Sequence, residues 1–194
     1  MKPNTKKLLI TATLVPTLSL TLAACNSTSQ STSHDGHASA TSADAVHNSE
    51  DTAFAQMMII HHRQALDMSD ILLSKQPEDP QIVAIVEKIQ SEQQPEIDQM
   101  KKLLKEWKEP ENPEQDVKDM EGMISEVEID NMKTADTATG EKLYLVNMIN
   151  HHQGAVQMAQ QEVAKGQNPE AKALAQQIID AQTKEIAELK NLQK

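Results

Sequence analysis

Two histidine pairs, His61-His62 and His151-His152, hold the densest ligand chemistry in the 194-residue sequence. Each sits in the same frame: Met58-x-x-His61-His62-x-x-Ala65-x-x-Met68, and Met148-x-x-His151-His152-x-x-Ala155-x-x-Met158. On a helix, at about 100° per residue, Met57, Met58, Ala65 and Met68 gather on the face of His61. Met148, Ala155 and Met158 do the same around His151, with Asn147 in the place of Met57. His62 and His152 fall about 100° further round, near a helix–helix boundary, so one His of each pair is expected to ligate while the other supports it or forms a second site. Taken singly, Met at helical spacing is core filler and a buried His is a satisfied core residue. Two copies of the whole frame change that reading, because four imidazoles are costly to bury without partners and a metal supplies partners. Imidazole with thioether is a soft donor set that favours copper, Cu(I) over Cu(II); zinc or iron fits it less well.

The elements that must position these residues follow from an internal repeat. Met58–Met68 matches Met148–Met158 at an offset of 90, and Phe54 and Tyr144 keep that offset. Asp79-Pro80 then parallels Asn168-Pro169 at an offset of 89, as Ile89, Gln93, Glu96 and Ile97 parallel Ile178, Gln182, Glu185 and Ile186. Each copy predicts a helical hairpin: first helices over about 51–74 and 141–165, second helices over about 80–107 and 169–192. Asp79 and Asn168 are good N-caps with Pro at the first helical position, and Gly166 is a plausible stop. Pro95 falls inside a second helix, on the side expected to face water. Gln93, Glu96 and Met100 share one narrow face, as do Gln182, Glu185 and Leu189. Between the repeats (about 51–107 and 141–193), a linker over 108–140 is acidic and rich in Pro and Met. Within it Ser125-Glu126-Val127-Glu128 has capping-box spacing and predicts a short helix. Two such hairpins make an all-α four-helix bundle with a long central crossover.

Residues 1–24 stand apart from this domain, which spans 49–194. Lys2, Lys6 and Lys7 precede an apolar stretch ending in Leu22-Ala23-Ala24-Cys25, the layout of a secretory signal. The Cys after Leu-Ala-Ala resembles the lipobox of bacterial lipoproteins, which implies a lipid on Cys25 and an extracytoplasmic, membrane-anchored chain. Residues 25–48 are rich in Ser, Thr and His without apolar periodicity and read as a flexible tether. A single Cys excludes a disulfide framework and Cys-based zinc fingers. The formal charge of −11 argues against nucleic acid as a partner.

The doubled Met-x-x-His-His-x-x-Ala-x-x-Met frame, with Gln93-Gln94-Pro95-Glu96-Ile97, Gln182-Thr183-Lys184-Glu185-Ile186 and the linker stretch Gly122-Met123-Ile124-Ser125, resembles a bacterial family known as domain of unknown function 305. The resemblance runs from about Asp51 to the C-terminus. It implies a ferritin-like four-helix fold, often exported, with some members linked to copper binding and resistance. Carried over by position, the implied ligands are His61, His62, His151, His152, Met58, Met68, Met148 and Met158; Met57, Gln93, Glu96, Gln182 and Glu185 are secondary candidates. The expected function is copper capture, storage or hand-over, involving a donor or acceptor protein that one chain does not identify. Two alternatives remain: a lipid-tethered helical interaction module without metal, and a ferritin-like di-metal oxidase. The oxidase needs more inward carboxylates than Glu96 and Glu185 provide. No nucleophile–base motif or phosphate loop is present, so no catalysis is expected.

Overall fold

The computed structural model describes residues 46–113 and 120–194. The expected signal segment, Cys25 and the tether up to residue 45 lie outside the described residues. Five helices make up the fold: α1 (Ser49–Ser74), α2 (Pro80–Trp107), α3 (Glu126–Thr134), α4 (Thr137–Lys165) and α5 (Pro169–Leu192). Among the described residues there is no strand, and no helix is long and apolar enough to cross a membrane.

The helix starts are dictated by local chemistry. Asn48 caps α1 by accepting from the amides of Glu50 and Asp51, while Asp51 returns a bond to the Asn48 amide, which satisfies orphan donors of the first turn. Asp79 and Asn168 cap α2 and α5 ahead of Pro80 and Pro169. Ser125 and Glu128 form the expected capping box at α3. The expected linker of 108–140 is too long at its end: α4 already begins at Thr137, with Asp136 accepting from the Thr139 amide. Gly140, taken for a loop residue, lies buried in the first turns of α4. A Cβ there would come within 3.0 Å of the Lys75 side chain, so glycine serves close packing. Gly166 ends α4 at φ −62°, not in the left-handed conformation that favours glycine at helix ends. A Cβ on it would lie 2.1 Å from a Glu162 carboxyl oxygen, so the requirement here is space. α2 runs unbroken through Pro95, which is exposed as expected.

α1 packs on α2 and α4 on α5, and the two pairs join through α1 against α4 and α2 against α5. Asn48 Nδ2 donates to the Lys165 carbonyl at one end of the α1/α4 contact, and Thr137 Oγ1 to the Lys75 carbonyl at the other. These two helices therefore run antiparallel, with the histidine pairs facing each other midway. α3 rests on α1 and α4. The apolar interior divides into two clusters, one holding Phe54, Met58, Met100 and Trp107, the other Met68, Ile89, Tyr144 and Met148.

Candidate metal site between α1 and α4

All four histidines are fully buried, at 0% exposure. Helix periodicity explains why both members of each pair are inside: adjacent positions differ by about 100°, and here the interior spans both directions. His61 and His151 point towards the α1/α4 seam, where their rings meet with centroids 3.7 Å apart and planes tilted by 32°. His62 and His152 turn towards the second helix of their own hairpin. His62 Nε2 lies 2.7 Å from Glu96 Oε2, and His152 Nε2 lies 2.9 Å from Glu185 Oε2.

These contacts fix the tautomers. A carboxylate or carbonyl oxygen only accepts, so Nε2 of His62 donates to Glu96, and Nε2 of His152 to Glu185. Nε2 of His61 likewise donates to the Glu121 carbonyl at 3.2 Å. Each ring is left with Nδ1 as its lone-pair nitrogen, and none of the three Nδ1 atoms has a hydrogen-bond partner; in His151 neither nitrogen has one. Burial pushes the pKa of His61 and His152 down to about 3 and that of His151 well below its ordinary value, with neighbouring imidazoles adding to the effect. Neutral imidazoles with free lone pairs, oriented by oxygen acceptors on the other nitrogen, are what a metal-binding histidine presents.

The thioethers are arranged across the repeats. Met58 shares a core cluster with α4, and Met158 packs against that cluster, while Met68 and Met148 belong to the other. Met58, Met68 and Met148 are fully buried. Met57 and Met158 are half-buried and line one surface pocket of about 370 Å3 with Phe54, Gln161 and Glu162. Gln93 and Gln182 are buried at 1% and 2% exposure, and neither amide has a partner for its oxygen or nitrogen.

Behind His152 lies a carboxyl pair that the helical wheel did not reveal. Glu92 and Glu185 share a hydrogen bond, and burial followed by that contact raises Glu92 to about 7. Burial also raises Glu185. Lys88 stands 3.7 Å from Glu185 and 3.2 Å from Glu188, closing the network towards solvent. Among the described residues, no group of three or more His, Cys, Asp or Glu side chains is gathered closely enough to hold a metal ion.

The sequence picked out Gly122-Met123-Ile124-Ser125 only through the family resemblance and gave no sign that this stretch covers the site. Met120–Ser125 crosses α1 and α4 at the level of His61 and His151. Gln64 holds it from α1, accepting from the Ile124 amide and donating to the Ile124 carbonyl, both at 2.8 Å. Gly122 has φ +78°, and a Cβ on it would lie 2.8 Å from Gly154 Cα. A Cβ on Gly154 would lie 2.2 Å from the Glu121 carbonyl oxygen. Gly154 inside the second frame, where the first frame has Gln64 at the equivalent site, was the available sequence signal.

An all-helical bundle with paired, buried histidines and buried methionines on the same helices defines a class of small helical domain with a soft-donor interior. The chain belongs to the family described as a domain of unknown function, DUF305, whose model matches residues 51–193. It is similar to a DUF305 fragment from Deinococcus radiodurans at 30% identity, covering 75% of this chain and 96% of that one, with a TM-score of 0.70. A DUF305 protein from Streptomyces coelicolor, described as a predicted secreted protein, is 28% identical over 74% of this chain and 91% of its own, with a TM-score of 0.70. CopM in its Cu(I)-bound form is 30% identical over 73% of this chain and 94% of its own, with a TM-score of 0.60. CopM has also been solved with Cu(II) and with Ag bound. No curated protein matches the chain.

Proposed function

We propose that this protein is an extracytoplasmic, lipid-anchored copper-binding protein that captures, stores or hands on Cu(I) without turnover. The observation that carries the reading is the meeting of His61 and His151 across α1 and α4, 3.7 Å apart and fully buried, with lone-pair nitrogens that no protein donor uses. Leaving such nitrogens unpaired costs free energy on the order of 1–3 kcal/mol per group, and a bound cation removes that cost. Copper is favoured because the buried residues on the same helices are the thioethers Met58, Met68 and Met148, donors suited to Cu(I). Glu96 and Glu185 are engaged as acceptors for His62 and His152, where they orient imidazoles in place of binding metal. That division of labour disfavours a di-metal oxidase, which needs its carboxylates on the metals. Likeness to CopM, solved with Cu(I), Cu(II) and Ag, supports the same choice. The lipobox-like Leu22-Ala23-Ala24-Cys25 supports the anchor, and the two hairpins support a ferritin-like duplication.

The test is an anaerobic titration of the purified protein with Cu(I) against a coloured Cu(I) chelator, beside Cu(II), Zn(II) and Fe(II). Cu(I) should be withdrawn from the chelator, and Zn(II) and Fe(II) should not displace it. Failure to compete for Cu(I), or tighter binding of Zn(II), contradicts the reading and leaves a helical interaction module. Oxygen consumption on addition of Fe(II) would instead favour the oxidase.

A further inference from the structure

We propose that Met120–Ser125 is the gate of the histidine pair: the cation reaches His61 and His151 by way of this strap, which must lift and reseat for each entry and exit. The inference rests on the copper reading and adds its route. His61 and His151 have no exposed surface, so a cation has to displace something. Behind the seam formed by α1 and α4, helices α2 and α5 pack on them and on each other, and two buried apolar clusters fill the interior. The remaining cover at the level of the pair is one layer of backbone, and it touches the pair directly, because the Glu121 carbonyl accepts from His61 Nε2. Its outer surface is open, with Glu121 exposed and Gly122 and Met123 half-exposed.

The attachment of the strap is short-range and local. Apart from the Glu121 contact, hydrogen bonds to α1 come from a single side chain, Gln64, which grips both polar groups of Ile124. On the α4 side Gly122 lies against Gly154, where the absence of both Cβ atoms lets backbone meet backbone, and Ile124 joins the buried cluster that holds Leu145 and Ile149. Such a segment detaches by losing two or three hydrogen bonds and the buried contacts of Met120 and Ile124, hinging at Ser125, the N-cap of α3, which is local opening with the four long helices left intact. In the seated state the Glu121 carbonyl also holds His61 in the tautomer that offers Nδ1, so reseating positions the ring after entry.

Gln64→Ala removes both clamp bonds and touches none of the candidate ligands. Two net hydrogen bonds lost raise the open population roughly tenfold. Hydrogen exchange at the Ile124 amide should therefore accelerate by about tenfold. Cu(I) transfer from a coloured chelator, and its removal by excess chelator, should each accelerate by a similar factor, with Kd unchanged within about twofold. Gly154→Ala, which pushes the strap away through the Glu121 carbonyl, should act in the same direction. Transfer rates equal to wild type in Gln64→Ala overturn the gate, whether or not Ile124 exchange has changed. Weaker binding without faster transfer overturns it too, because that result describes a merely structural clamp. If the wild-type protein takes up no Cu(I), the copper reading itself fails and the gate falls with it. If wild type binds Cu(I) and only the rate effect is missing, the gate alone fails.

Discussion

At the scale of single residues, the fold tolerates buried ionisable groups by giving each a fixed protonation state. His61, His151 and His152 are held neutral by burial, and the pair Asp51–Glu162 is held at one proton. Burial would raise Asp51, but hydrogen bonds from Glu162 and from the amides of Asn168, Asn48 and Gln167 lower it. Burial and the neighbouring Asp51 raise Glu162 to about 8. No donor reaches either oxygen of Glu162, so the pair is satisfied only when Glu162 carries the proton and donates to Asp51. The sign of the pH dependence follows. Unfolded, Glu162 releases its proton near the ordinary value of 4.5, whereas folded it keeps it to about 8. Between those values the unfolded chain binds fewer protons, so this group makes stability fall as pH rises from about 4.5 to about 8. Glu162→Gln, which copies the protonated form, should flatten that fall and leave the variant more stable than wild type at pH 8.5, by on the order of 1–3 kcal/mol. Denaturant unfolding of both proteins at pH 5.5 and 8.5 measures it; parallel pH curves would contradict the shared proton. The sequence displayed the four histidines and their methionines but not this pair, because Asp51 and Glu162 are more than a hundred positions apart and belong to no repeated frame.

At the scale of elements, the ends of the α1/α4 seam are pinned by hydrogen bonds between side chains and backbone, while its middle is where the His61 and His151 rings meet. Asp51 in the first turn of α1 accepts from the amides of Gln167 and Asn168 at 2.8–3.1 Å, joining the start of the domain to the α4–α5 turn. Asp51→Ala strands those amides and should cost about 2–4 kcal/mol, with the α4–α5 turn losing exchange protection first. Thermal melts with residue-resolved hydrogen exchange test this, and an unchanged melting temperature would show that solvent replaces the carboxylate freely. The helices themselves were legible. All four long helices keep the expected C-terminal ends, and α2 and α5 also start where Pro80 and Pro169 predicted, because caps and prolines are local signals. The start of α4 was missed because Gly140 reads as a breaker, yet it is helical where Lys75 needs room. The stretch Gly122–Ser125 was picked out but its placement was not, for a different reason: that placement is set by Gln64, Gly122 and Gly154 together, residues of three separate segments that no periodicity connects.

At the scale of the whole molecule, the bundle brings two similar histidine pairs face to face, one from each hairpin. His62–Glu96 and His152–Glu185 stand at offsets of 90 and 89 in the sequence and make the same contact in the two hairpins. His61 and His151 meet only because α1 and α4 are antiparallel neighbours. A cation bound between them would join the hairpins and stabilise the folded chain by mass action, by about 2.7 kcal/mol when free metal is 100 times Kd. For a domain of this size that is a rise of roughly 5–10 °C in melting temperature. The most direct test of the central claim is therefore the anaerobic melting temperature with and without Cu(I), for the wild-type protein and for His61→Ala/His151→Ala. The account predicts a rise of several degrees in wild type that is lost in the double variant, which should still fold with native helix content. No rise in wild type, or an equal rise in the double variant, would contradict a copper site at the His61–His151 seam.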